Sequence, residues 1–264
     1  MPLTDADLRN VADRLHRLET ILGLNQPTAP SEPAYGIDVY RGQGEVDWEQ
    51  VAAHGVSFAI IKATEGVNFV DKRLRDNAEG AYHNGLRVGY YHFGRPDTGS
   101  DHMSDARAEA GDFLEAIANL PDPSIMHFEP DRFGAVWLDL EKAVTNLDER
   151  EGLEWVLEWC RVVEQQWPVG LYTSGSWLTR EATPDGSAAV QLATREDGSI
   201  RPFWVARYGP NDGKPHPEFD PNKKVPAPWN HWDIWQYTST ARIPGVPTRC
   251  DMNLLRRMAP ADTA

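Results

Sequence analysis

The sequence has little cysteine, no excess of positive charge and no long apolar run. Two cysteines in 264 residues, Cys160 and Cys250, are too few for a disulfide scaffold or a zinc site. Unpaired buried thiols are expected rather than a bridge. Lys and Arg number 26 against 40 Asp and Glu, a net charge of −14. That balance excludes a general nucleic-acid binder, which needs basic surface to displace counterions from phosphates, and it disfavours anionic membranes. No apolar run reaches the roughly 18 residues that a membrane span needs. Asp5 and Asp7 stand early with no apolar segment beside them, so no Sec-type signal peptide is expected. There is no HExxH pair and no phosphate-cradling glycine loop. What is there is 41% hydrophobic residues with ten Trp, too rich for a disordered chain and enough for one large core.

Residues 4–24 read as a helix, with Thr4 as its cap, Asp5 and Asp7 at its positive end and Gly23 at its stop. Leu8, Val11, Leu15, Leu18 and Leu22 recur at spacings of three and four, the a/d pattern of a coiled coil. A helix this short is marginal alone. Its stripe is expected either to self-associate, giving a homo-oligomer through residues 5–24, or to dock on the main domain. Pro27, Pro30 and Pro33 make residues 25–34 an extended linker. The main domain is expected over 35–264.

From Tyr35 onward, short apolar runs alternate with helical patterns. Strands are predicted at 35–39, 57–62, 87–93, 135–140, 169–173, 203–207, 232–237 and near 248–251. Helices are predicted at 47–54, 72–84, 101–119 and 149–166. The first five strands are continuous apolar runs, as parallel strands buried on both faces should be. Repeated βα units of this kind predict an α/β barrel of the TIM type. Residues 180–202 and 209–231 are rich in Pro, Gly and charge and show no clear helix. The barrel is therefore expected to be irregular at its C-terminal side, and such long loops are often functional.

Chemistry in a parallel barrel sits at the C-terminal ends of its strands. Asp38 ends the first strand, Asp139 and Glu141 the fourth, and Asp251 stands in the last. Asp139 and Glu141 are two apart, so on a strand they share a face, about 7 Å from Cα to Cα. Carboxylates crowded in a barrel mouth are costly unless one keeps its proton. A glycosidase needs that pairing: a raised acid for the leaving oxygen and a second carboxylate beside the positive centre. Three or four carboxylates can also hold Mg²⁺ or Ca²⁺, and a single one can simply cap a helix. His92 is read as structural or supporting. Tyr90, Tyr91, Tyr172, Trp204, Tyr208, Trp232, Trp235 and Tyr237 lie near strand ends; a few at the mouth would suit a sugar, although aromatics fill any core.

The pieces GIDV (36–39), VDW (46–48), IIKATEG (60–66), GYYHF (89–93), WLDLE (137–141), GLYTS (170–174), FWVARYG (203–209), WDIWQYTS (232–239) and CDMN (250–253) stand in one order along the chain. In that order they resemble the family-25 glycoside hydrolases, the Chalaropsis-type lysozymes common among phage endolysins and bacterial autolysins. The resemblance implies a (β/α)5β3 barrel. It implies cleavage, with retention, of the β-1,4 bond between N-acetylmuramic acid and N-acetylglucosamine in peptidoglycan. Glu141 then resembles the general acid, and Asp139 the partner that assists the acetamido group or the developing charge. Asp38 and Asp251 resemble the other acidic residues of the site, and Lys62, Glu65, Tyr91, Tyr172, Trp235 and Gln236 fall in motifs around the sugar. No metal and no cofactor is expected. Family members often read GIDVSHWQG where this chain reads GIDVYRGQG, so an aromatic contact at the rim is expected to be lost and a cation, Arg41, gained. The implied setting is a phage-encoded enzyme made in the host cytoplasm and acting on the wall, or a virion component anchored through the heptads. The competing readings are a glycan-binding or virion structural protein on the same barrel, and a chitinase, whose DxxDxDxE run is missing here.

Overall fold

The computed structural model describes residues 34–96, 101–120, 136–141, 147–174, 187–225 and 227–256. The chain divides between Pro33 and Ala34. The heptad helix expected at 4–24 and the linker lie outside the described residues, except that Ala34 already belongs to the first strand.

Eight strands close a barrel in sequence order. They are β1 (Ala34–Val39), β2 (Val56–Glu65), β3 (Arg87–Phe93), β4 (Val136–Leu140), β5 (Val169–Ser174), β6 (Phe203–Ala206), β7 (Ile234–Ala241) and β8 (Cys250–Leu255). Neighbours from β1 to β7 are parallel. β8 is antiparallel to both β7 and β1. Helices α1 (Trp48–Ala53), α2 (Leu74–His83), α3 (His102–Ala118), α4 (Glu149–Val163) and α5 (Ser187–Ala193) each follow one of the first five strands. This is the expected five βα units and three further strands. Among the described residues, no helix is long and apolar enough to cross a membrane.

Period-two alternation sorts the side chains into an interior and a shell. Phe58, Ile60, Tyr91, Trp137, Tyr172, Trp204 and Ile234 pack together inside the barrel. The alternate residues, such as Ile37, Ile61, Tyr90, Leu138 and Leu171, meet the helices outside. On α4, Gly152, Trp155, Val156, Trp159, Cys160 and Val163 are buried at the three-and-four spacing of an amphipathic helix. Asp148 starts it: its Oδ1 accepts from the Glu151 N–H at 2.8 Å, and its own N–H donates to Glu151 Oε2 at 3.0 Å. Cys160 and Cys250 are both free and buried.

Two expectations are corrected. A short helix, α5, lies within 180–202, where none was expected. Its last carbonyls are satisfied from a distance: Arg201 donates to the Leu192 and Thr194 oxygens at 2.8 and 2.9 Å and pairs with both oxygens of Glu164. The closing strands are also longer than predicted, β7 running to Ala241 and β8 to Leu255. In the segment 209–231 the described residues form two short 3-10 turns, Pro217–Phe219 and Pro221–Lys224.

Candidate active site

The C-terminal ends of β1–β7 and the start of antiparallel β8 make one rim. That reversal brings Asp251 to the mouth by the beginning of its strand, not by its end. Asp251 stands directly opposite Asp38 in the β1–β8 ladder. Asp38 Oδ2 accepts from Gln236 Nε2 at 2.9 Å and Asn253 Nδ2 at 2.7 Å. The Asn253 amide is oriented in turn by Trp204, whose Nε1 donates to its Oδ1 at 2.8 Å. Gln236 Oε1 accepts from the hydroxyls of Tyr172 (2.9 Å) and Tyr208 (2.5 Å). Burial raises the carboxyl of Asp38, with the two amides pulling it back. Burial and then the charge of Asp38 push Asp251 up to about 9. Two amide donors favour the charged form of Asp38, so the shared proton rests on Asp251 and is donated across the pair.

Asp139 lies on β4 between Phe93 and Tyr172 of the adjacent strands. It is 4% exposed, and its Oδ1 has no hydrogen-bond partner among the described residues. Burial raises it well above the ordinary carboxylate range, the nearby charge of Glu141 adds to this, and Lys62 opposes it. Glu141 follows the strand on the exposed rim. Loss of water from the crowded mouth still raises it, while the neighbouring Tyr172 hydroxyl pulls it down and Asp38 pushes it up. Two carboxyls this close, both raised, lose their protons in two steps that belong to the pair.

Lys62 is the cation of the mouth and is itself 7% exposed. Its Nζ donates to Glu65 Oε2 at 2.5 Å, and Arg95 Nε donates to Glu65 Oε1 at 2.8 Å. Burial alone would raise Glu65, but these two cations hold it low. Both rest on Phe93, at 4.6 Å for Lys62 and 5.2 Å for Arg95. Exchanging Lys62 for Met removes a positive charge that favours ionisation of Asp139 and Glu141. Both then keep their protons to higher pH. The acid limb of the pH–activity profile is expected to move up by about one pH unit, since roughly 1.4 kcal/mol of lost attraction equals one unit. A profile unmoved by Lys62→Met would exclude this role.

The structure thus brings Asp38, Asp139, Glu141, Asp251, Lys62, Glu65, Tyr172 and Gln236 to one mouth, with Tyr91 in the aromatic floor beneath. Trp204 anchors that floor, 4.3 Å from Tyr172, 5.6 Å from Trp137 and 6.4 Å from Tyr91 between ring centroids. Trp235 does not join them. It faces the outer shell, where its Nε1 donates to the Arg207 carbonyl at 2.8 Å and its ring packs on Trp232 and Tyr237. His92 also faces outward, bonded to Thr64 (2.7 Å) and Glu109 (2.6 Å) and stacked on Trp159; burial drives its pKa down to about 3, so it is neutral. Its place is structural. The rim aromatic expected to be lost is supplied two positions earlier, by the exposed ring of Tyr40, while Arg41 stacks on Phe69 at 4.5 Å. Sequence reasoning missed Asn253, Arg95 and the oriented hydroxyl of Tyr208. Among the described residues, no group of three or more His, Cys, Asp or Glu is arranged to hold a metal ion.

A closed α/β barrel with paired carboxylates at its mouth is an arrangement that glycoside hydrolases use. The chain belongs to the glycosyl hydrolases family 25, whose family model matches residues 37–246. It is 30% identical over 250 residues to lysozyme M1 of Streptomyces globisporus, covering 90% of this chain and 74% of that one. The N,O-diacetylmuramidase of Arthroderma benhamiae is 24% identical over 213 residues, 80% of this chain and 79% of its own. Among solved structures, the bacterial lysozyme of Streptomyces coelicolor superposes with a TM-score of 0.63 at 29% identity, over 88% of this chain and 96% of that one.

Proposed function

We propose that the enzyme is a muramidase of bacterial peptidoglycan that cuts the β-1,4 bond after N-acetylmuramic acid with retention. The observation that carries this reading is the Asp139–Glu141 pair, with a buried Asp139 oxygen that still lacks a donor among the described residues. A 2-acetamido N–H of the substrate is the donor that fits it. Glu141 then protonates the glycosidic oxygen as the C1–O bond breaks, and the acetamido carbonyl oxygen closes on C1. The acetamido group becomes a cationic ring, which favours the anionic form of Asp139 and leaves the working proton on Glu141. Water adds to C1 from the vacated side, Glu141 takes its proton, and the acetamido group is restored with the original configuration. This substrate-assisted route departs from the two-carboxylate scheme, in which the second residue attacks C1 itself. Lys62, Tyr172, Gln236 and Asp251 line the other walls around the sugar, over the Tyr91 floor.

The lysozyme relatives support peptidoglycan as the substrate. The test is a digest of purified peptidoglycan, reduced with borohydride and read by mass spectrometry. Muramitol at the new ends is expected. Reduced glucosamine at those ends, or release of peptides alone, would overturn the reading.

A further inference from the structure

We infer that the Tyr40 ring is a stacking platform for a pyranose unit of the glycan, seated on the lip that β1 and β2 form outside the cleavage centre. The inference rests on the reading of the mouth as a glycan site and adds a subsite to it. Tyr40 follows β1 directly, two residues beyond Asp38, and is 42% exposed. That leaves much of a large aromatic ring open to water at the rim of the site. The backbone that carries it is tied down, and the ring itself has a fitted seat.

Two hydrogen bonds to Gln43 fix the Tyr40 backbone. The Tyr40 N–H donates to Gln43 Oε1 at 2.9 Å, and the Tyr40 carbonyl accepts from the Gln43 N–H at 3.1 Å. Gln43 is 6% exposed and reaches the Arg249 carbonyl just before β8, which ties the lip to the neighbouring strand. Gly42 backs the ring: a Cβ at that position would fall 2.3 Å from Tyr40 Cζ. Only glycine leaves the ring its place. Lys62 Nζ lies 5.8 Å from the ring centroid, at the edge of the catalytic group of residues.

A fixed ring beside an ammonium suits one class of ligand. The C–H face of a β-linked pyranose is apolar and packs on an aromatic face, while its rim of hydroxyls and carbonyl oxygens accepts from a cation such as Lys62. Because the ring is already in place, little freedom is lost on binding. A platform of this kind holds substrate and transition state alike, so its loss should appear in KM.

The test is steady-state kinetics on long, uncross-linked glycan strands with Tyr40→Ala, Tyr40→Phe, Tyr40→Trp and Gly42→Ala, with thermal melting as a check on the fold. Tyr40→Ala should raise KM about three- to tenfold, the range that stacking of one ring supplies, and leave kcat within about twofold. Gly42→Ala should raise KM in the same direction without touching the ring itself. Tyr40→Phe and Tyr40→Trp should stay close to the wild type. An unchanged KM for Tyr40→Ala, a loss confined to kcat, or an equal loss in Tyr40→Phe would overturn the platform. If the wild type releases no reducing ends from the strands, the glycan-cleavage reading fails and takes this inference with it. An active wild type with an indifferent Tyr40→Ala sinks this inference alone.

Discussion

Glu141→Gln should lower kcat by about 10³-fold, within the range of one general acid, while the fold melts no earlier than the wild type. Gln keeps the shape of the side chain, but its amide has no acidic proton to give the leaving oxygen. The position is exposed at the rim, so the exchange leaves no cavity. It also removes a negative charge that faces Asp139 and Asp38. The leaving group separates the roles. A glycoside that expels a stable phenolate needs no protonation, so its cleavage should suffer far less than cleavage of peptidoglycan. An equal deficit on both substrates would exclude Glu141 as the acid.

Asp139→Asn should be nearly inactive and, above about pH 4, more stable than the wild type. Loss of a preorganised charge beside a developing cation costs about 10²- to 10³-fold in kcat. The stability effect has the opposite sign. In the fold, burial raises the Asp139 carboxyl above its unfolded value near 3.9. Below that pH the group is neutral in both states and costs nothing. As pH rises, the unfolded chain ionises freely while the folded one resists, so stability drains away until the folded carboxyl has titrated. Asn stays neutral throughout. The melting-temperature gap between variant and wild type should therefore be small near pH 4 and widen toward pH 8, by about 2–4 °C for each kcal/mol relieved. A gap independent of pH, or one of the opposite sign, would mean that Asp139 is not under this strain.

The order of strands, and the inward face of Asp139, were legible because apolar runs and period-two alternation are local properties of the chain. The same alternation reaches further along the chain. Asn253 is two residues from Asp251 and so lies on its face, as its bond to Asp38 bears out. Adjacent residues on a strand point to opposite sides, so Trp235 and Gln236 could not both face the sugar, and the bond of Gln236 to Asp38 decides between them. Other features had no local signature. α5 is held by Arg201 and by Glu164, 37 residues from that arginine. The direction of β8 depends on how the ring closes, and its composition does not reveal it. The Tyr40 ring found its seat through the missing side chain of Gly42, which in sequence reads only as a departure from a motif.

The antiparallel entry of β8 also sets a time. A ribosome delivers the barrel from its N-terminus, and β1, β2 and β4 carry Asp38, Lys62 and Asp139 long before the ring is shut. Asp251, and the Asn253 amide that links Asp38 to Trp204, come only with the last strand. Until then Asp38 lacks both its proton-sharing partner and one of its two amide donors. The two ends of the barrel fold must meet for this wall of the mouth to exist, so competence arrives with closure and not gradually along the chain.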